Sequence, residues 1–90
     1  MRSAPGASLN KAQLQGASLT FAQVQGARLD LAQLQGAQLV SADLRNAQLW
    51  GAQLQGAVLQ RAFLYEAQLQ DASLRGAGLR GANLSRAELA

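Results

Sequence analysis

The sequence predicts an all-β solenoid of square cross-section with about four coils, and three observations predict it. Alanine stands at every fifth residue from Ala7 to Ala87, and two places after each comes a leucine, from Leu9 to Leu89, with Val24 the one substitute. The outer residues carry a weaker period of twenty: Gln13, Gln33 and Gln53 match, as do Gly16, Gly36, Gly56 and Gly76. All thirteen glutamines flank a position of the leucine column, two of them Val24. Repeats this strict outrank local propensity, which here would mislead because Ala, Leu, Gln and Arg are good helix formers.

The five-residue period excludes the helix. At about 100° per residue, five residues advance roughly 140°, so the leucines would spiral around the cylinder and leave no apolar face. In an extended segment, residues two apart share a side, so Ala and Leu of each A-x-L point inward and the residue between them points out. Two residues remain to turn a corner. Eight of the nine glycines precede the inward Ala, where tight or left-handed backbone is expected. Glutamine on both sides of leucine is expected to face solvent.

Four five-residue sides make the period of twenty, which stacks like residues on successive coils about 4.8 Å apart. Seventeen repeats then build a stub on the order of 20 Å tall. Residues 1–6, with Pro5, read as a short lead-in and residues 7–90 as a single domain. The core is expected to be stacked Leu columns with Ala between them, supported by backbone ladders between coils, as in other solenoids. The coil ends, with their strand groups and core, suggest end-to-end pairing of two copies or a piece of a longer protein.

These repeats resemble the pentapeptide-repeat family, whose pattern is A-(D/N)-L-x-x, over residues 7–90. The resemblance implies a right-handed quadrilateral β-helix. In one column the chain departs from the family: between Ala and Leu stands mostly Gln, with Asp only at Asp43 and Asn only at Asn83. The resemblance also implies one activity. Some family members mimic DNA, bind gyrase or topoisomerase, and are linked to quinolone resistance. Such mimicry needs a continuous negative surface, whereas this chain carries eight Lys or Arg against five Asp or Glu, a net charge of +3.

The residues themselves point away from catalysis. With no His and no Cys, the chain lacks a neutral-pH base, a thiolate and the usual metal ligands. Its five carboxylates fall on separate sides and read as solvated charge. No enzyme activity, cofactor or metal is expected. The segment Gly76-Ala77-Gly78-Leu79-Arg80-Gly81 spells the dinucleotide fingerprint but lacks its strand, helix and later acidic residue; Gly76 and Gly81 are corner residues, and Gly78 alone is unexplained. The sequon Asn83-Leu84-Ser85 reads as coincidence. The first residues lack the apolar run of a signal peptide, and no stretch has the length of a membrane span, so a cytoplasmic bacterial protein is expected.

Function is therefore sought on the outer surface. The side with Leu14, Leu34, Leu54 and Leu74 is nearly all Gln and Gly, which suggests amide ladders along the coils or a flat docking surface for protein or glycan. Phe63, Tyr65, Val58, Arg45 and Trp50 form the candidate protein-binding patch, with Arg45 expected beneath Tyr65 in a cation–π contact. Arg61, Arg75, Arg80 and Arg86 form a candidate basic patch for nucleic acid or an acidic partner, although it lacks the dense charge and interleaved aromatics of nucleic-acid binders. A non-enzymatic structural or protein-interaction module is the expectation.

Overall fold

The computed structural model describes residues 3–89. Each residue between Ala and Leu makes a parallel β-bridge to the residue twenty further on, and these bridges define four walls. Wall 1 stacks Ser3, Gln23, Asp43, Phe63 and Asn83; wall 2 stacks Ser8, Arg28, Gln48, Gln68 and Glu88. Wall 3 stacks Gln13, Gln33, Gln53 and Ser73, and wall 4 stacks Ser18, Gln38, Val58 and Gly78. The period of twenty in the sequence is thus one circuit of the coil. Met1 and Arg2 of the expected lead-in lie outside the described residues, whereas Ser3 within it already pairs with Gln23.

Three hydrogen bonds per repeat join successive coils. In one repeat, Leu34 N–H donates to the Gln53 carbonyl at 2.7 Å, Gly36 N–H to Gln55 at 2.9 Å, and Gln53 N–H to Ala32 at 2.9 Å. A fourth closes the corner, Ala37 N–H to the Leu34 carbonyl at 3.0 Å. Each corner places its last residue at φ between 57° and 72° after a residue of negative φ, which is a type II turn. Glycine suits that position. Even so, nine corners hold other residues there, among them Lys11, Phe21, Leu31, Ser41 and Arg61.

The core contains only the two inward columns. From Leu19 to Leu69 these residues are buried, every Ala from Ala22 to Ala67 completely. Leu9 and Leu14 below, and Leu74, Leu79 and Leu84 above, are partly buried. Near the lower end lies an apolar void of about 10 Å³ beside Leu9, Leu14, Val24 and Leu29. Its cause is legible in wall 1, where the leucine column reads Ala4, then Val24, before Leu44 begins the full-sized stack. The molecule measures 23 × 21 × 18 Å, in keeping with the height expected from stacked strands.

Glutamine departs from the solvent-facing expectation on one side of leucine. Gln25, Gln35, Gln55, Gln60 and Gln70, each just after an inward leucine or, for Gln25, after Val24, are half-buried, and each has a covered Oε1 without a hydrogen-bond partner.

Candidate functional site

All four aromatic residues lie outside the core: Phe21 is 65% exposed, Phe63 48% and Trp50 46%, and Tyr65 is half-buried. The repeat explains this, because none of the four stands in the inward Ala or Leu column. Phe63 stands on wall 1 directly above Asp43, and Tyr65 follows one residue beyond the next leucine, at the edge toward wall 2. These two aromatics, one on each side of Leu64, make up the aromatic strip of this coil. Val58 is on wall 4 of the same coil, around the corner that Arg61 occupies. Trp50 stands at the diagonally opposite corner, where its carbonyl accepts the Leu31 N–H at 2.8 Å. Leu31 there folds over Gly51, whose added Cβ would come within 2.8 Å of Leu31 Cδ2. Four of the five expected patch residues therefore divide into the Phe63–Tyr65 pair, a neighbouring Val58 and a separate Trp50 beside Leu31.

Arg45 does lie one coil below Tyr65, but its guanidinium is engaged elsewhere. Its Nε donates to Asp43 Oδ1 at 2.8 Å and its Nη2 to Oδ2 at 2.5 Å, while its backbone N–H reaches Oδ1 at 3.2 Å. A carboxylate two residues away outcompetes a ring face for a guanidinium fork, which corrects the expected cation–π contact. Burial pushes the Asp43 carboxyl upward; hydrogen bonds from Arg45, its positive charge and a Gln25 hydrogen bond more than offset this and hold it below the ordinary value. Asp43 in turn raises the Arg45 guanidinium. The cation at Tyr65 is Arg86, from the coil above: its Nη1 donates to Tyr65 Oη at 3.5 Å and its Nε lies 3.5 Å from Glu66 Oε2.

The four arginines of the candidate basic patch are accordingly dispersed. Arg86 belongs to the aromatic side, and Arg75 stands at the glycine-lined corner between walls 3 and 4. Only Arg61 and Arg80 are neighbours, joined through the Arg61 N–H and the Arg80 carbonyl at 2.8 Å.

Wall 3 carries amide rungs, diagonal instead of vertical. Gln15 Nε2 donates to Gln33 Oε1, and Gln35 Nε2 donates to Gln53 Oε1 at 2.9 Å. Among the described residues no group of three or more His, Cys, Asp or Glu could hold a metal ion. Nor is any helix long and apolar enough to cross a membrane.

Sequence reasoning missed Phe21, an exposed ring at a corner of positive φ, and the pairing of Tyr65 with Arg86. The first was detectable from its place in the repeat. The second needed the period of twenty applied one residue off register, since the partners are 21 apart.

Comparison with known proteins places these features in context. The family of pentapeptide repeats matches in eight copies, over residues 6–36, 32–67 and 64–90. HetL of the cyanobacterium Nostoc, a pentapeptide-repeat protein involved in the regulation of heterocyst differentiation, has a similar structure, with a TM-score of 0.79 and 35% identity over 96% of this chain. Rfr23, a pentapeptide-repeat protein of the cyanobacterium Cyanothece, is similar with a TM-score of 0.55 and 28% identity over 98% of the chain. The chain spans 46% of the length of HetL and 64% of that of Rfr23. No curated protein matches significantly.

Proposed function

The chain belongs to the pentapeptide-repeat family and has its right-handed quadrilateral β-helix, and from that premise we propose a non-enzymatic module that binds a protein partner through the Phe63–Tyr65 strip. The observation that carries this reading is the exposure of Phe63 at 48%, with Asp43 beneath it and Glu66 beside Tyr65 each paired to an arginine. An apolar surface with its charges neutralised costs little to desolvate. Aromatic side chains are also enriched at protein interfaces, where they supply most of the binding energy. Arg86 supports the strip by giving the Tyr65 hydroxyl a donor. A regulatory role of the kind described for HetL suits a molecule that acts by contact. A bacterial, cytoplasmic setting is part of the same proposal, in keeping with two cyanobacterial neighbours.

The gyrase reading gains nothing from the carboxylates. Asp30, Asp43 and Glu66 each lie within 4 Å of an arginine, so no continuous negative surface forms. Supercoiling and quinolone sensitivity unchanged by the chain would remove that reading. For the strip, affinity capture with the intact chain is compared with a Phe63→Ser, Tyr65→Ser variant. A partner retained by the first and lost by the second supports it, and equal recovery refutes it. A strict monomer in sedimentation at micromolar concentration would remove end-to-end pairing.

A further inference from the structure

Where wall 4 turns into wall 1, the upper coils leave a hollow of about 430 Å³ lined by Gln60, Arg61, Arg80 and Gly81. Two glycines lie against the side chains that line it. A Cβ on Gly78 would stand 2.6 Å from Gln60 Nε2, and a Cβ on Gly81 would stand 3.1 Å from Arg61 Cγ. Gln60 and Arg61 from the coil below therefore fold upward across bare backbone. Gly78 does not have a positive φ, so its backbone would accept any residue, and a larger side chain there would have to displace the Gln60 amide of the coil below. The glycine that the repeat pattern left unexplained thus lies against the Gln60 amide, and Gly81, the last glycine of the G-x-G-x-x-G spelling, lines the depression.

The charges in this hollow are free. Arg28, Arg45 and Arg86 each have a carboxylate within 4 Å. Among the described residues Arg61 and Arg80 have none, although they are bonded neighbours on successive coils. Two guanidinium forks with an amide beside them match an acceptor carrying several oxygens and about two negative charges, because each fork binds two oxygens side by side. A single carboxylate would satisfy one fork and leave the other unpaired. The lining contains no aromatic side chain on which a base would stack, which disfavours a nucleic-acid strand.

The geometry points to this corner as a binding site for a phosphate oxyanion, either free or carried on a phosphorylated side chain. It adjoins the aromatic strip, Arg61 standing two residues before Phe63, but shares no residue with it, so the Phe63→Ser, Tyr65→Ser variant, which keeps both arginines, is expected to bind the phosphate probe unchanged. Calorimetric titration of the full chain at low salt, with inorganic pyrophosphate in one arm and a phosphoserine peptide in the other, tests it and identifies the source by which arm binds more tightly. Saturable 1:1 binding is expected, weakened about fivefold by Arg61→Gln or Arg80→Gln and little changed by Arg75→Gln, which removes the same charge from another corner. Gly78→Ala, which displaces the Gln60 amide and leaves both arginines, is expected to weaken binding as well. Absence of saturation in both arms, or equal loss with Arg75→Gln, would overturn the assignment.

Discussion

Asp43 Oδ1 accepts the backbone N–H of Arg45, two residues on, at 3.2 Å, and Asn83 does the same for Ser85 at 2.9 Å. The N–H satisfied is that of the residue just after leucine. In the backbone pattern it is the one donor of the repeat that neither the coil ladder nor the corner bond uses. A short side chain at the position before leucine reaches it as an Asx turn. Glutamine, one methylene longer, does not make this bond at any described position, which gives a physical sense to the departure from the family pattern.

Removing the Asp43 carboxylate therefore removes both a backbone cap and an ion pair. Asp43→Ala is expected to lower stability by about 1 kcal/mol, and Asp43→Asn by less, since Asn keeps the bond to Arg45 N–H. Because the folded carboxyl lies below its ordinary value of 3.8, its contribution is complete above that pH and is lost as pH falls through the folded value. Urea unfolding of the native and Asp43→Ala chains should give curves that converge below about pH 4; a constant gap would contradict this.

The reverse substitution should add stability. At Gln48, Asn would offer the same acceptor to the Trp50 N–H, worth about 0.5–1.5 kcal/mol, and Gln48→Ala serves as the control. Amide exchange at Trp50 should slow in the Asn variant alone.

Core substitutions should follow depth. Leu54, 1% exposed, is expected to cost about 2–5 kcal/mol when changed to Ala. Leu89, 57% exposed, should cost far less. Val24→Leu adds one methylene beside the void and is expected to gain up to about 0.8 kcal/mol. A loss measured by denaturant midpoint would mean that the wall cannot admit the larger side chain.

Corners give the cleanest backbone test. Ser41 has a φ of 57°, and Ser41→Gly should relieve part of the roughly 1–2 kcal/mol that left-handed backbone costs an L-residue. At Gly36 a Cβ would meet nothing within 4 Å, so any loss in Gly36→Ala, about 1 kcal/mol, is conformational. No change at Gly36 would mean that the turn relaxes.

Most of the fold could be read from the chain because two columns, Ala and Leu, carry both the period and the burial. Stacking Gln13 beneath Gln33 needed only counting. The surface was less legible because its contacts depend on where flexible side chains turn. Arg45 could swing to Asp43 or to Tyr65, and only their placement shows that the nearer carboxylate holds it. Gly78 likewise could be recognised as irregular, but the Gln60 amide it lies against, eighteen residues earlier, is on another coil.

The single-residue bridges spaced twenty apart also govern how such a chain tolerates lengthening. Inserting one extra A-x-L-x-x unit would keep every inward column intact, yet everything downstream would rotate by a quarter turn. Phe63 would leave the side of Asp43 if the insertion fell between those two, and Arg86 would part from Tyr65 if it fell between that pair. Duplication of a full circuit preserves every vertical neighbour, so fold and surface answer to different arithmetic: one to multiples of five, the other to multiples of twenty.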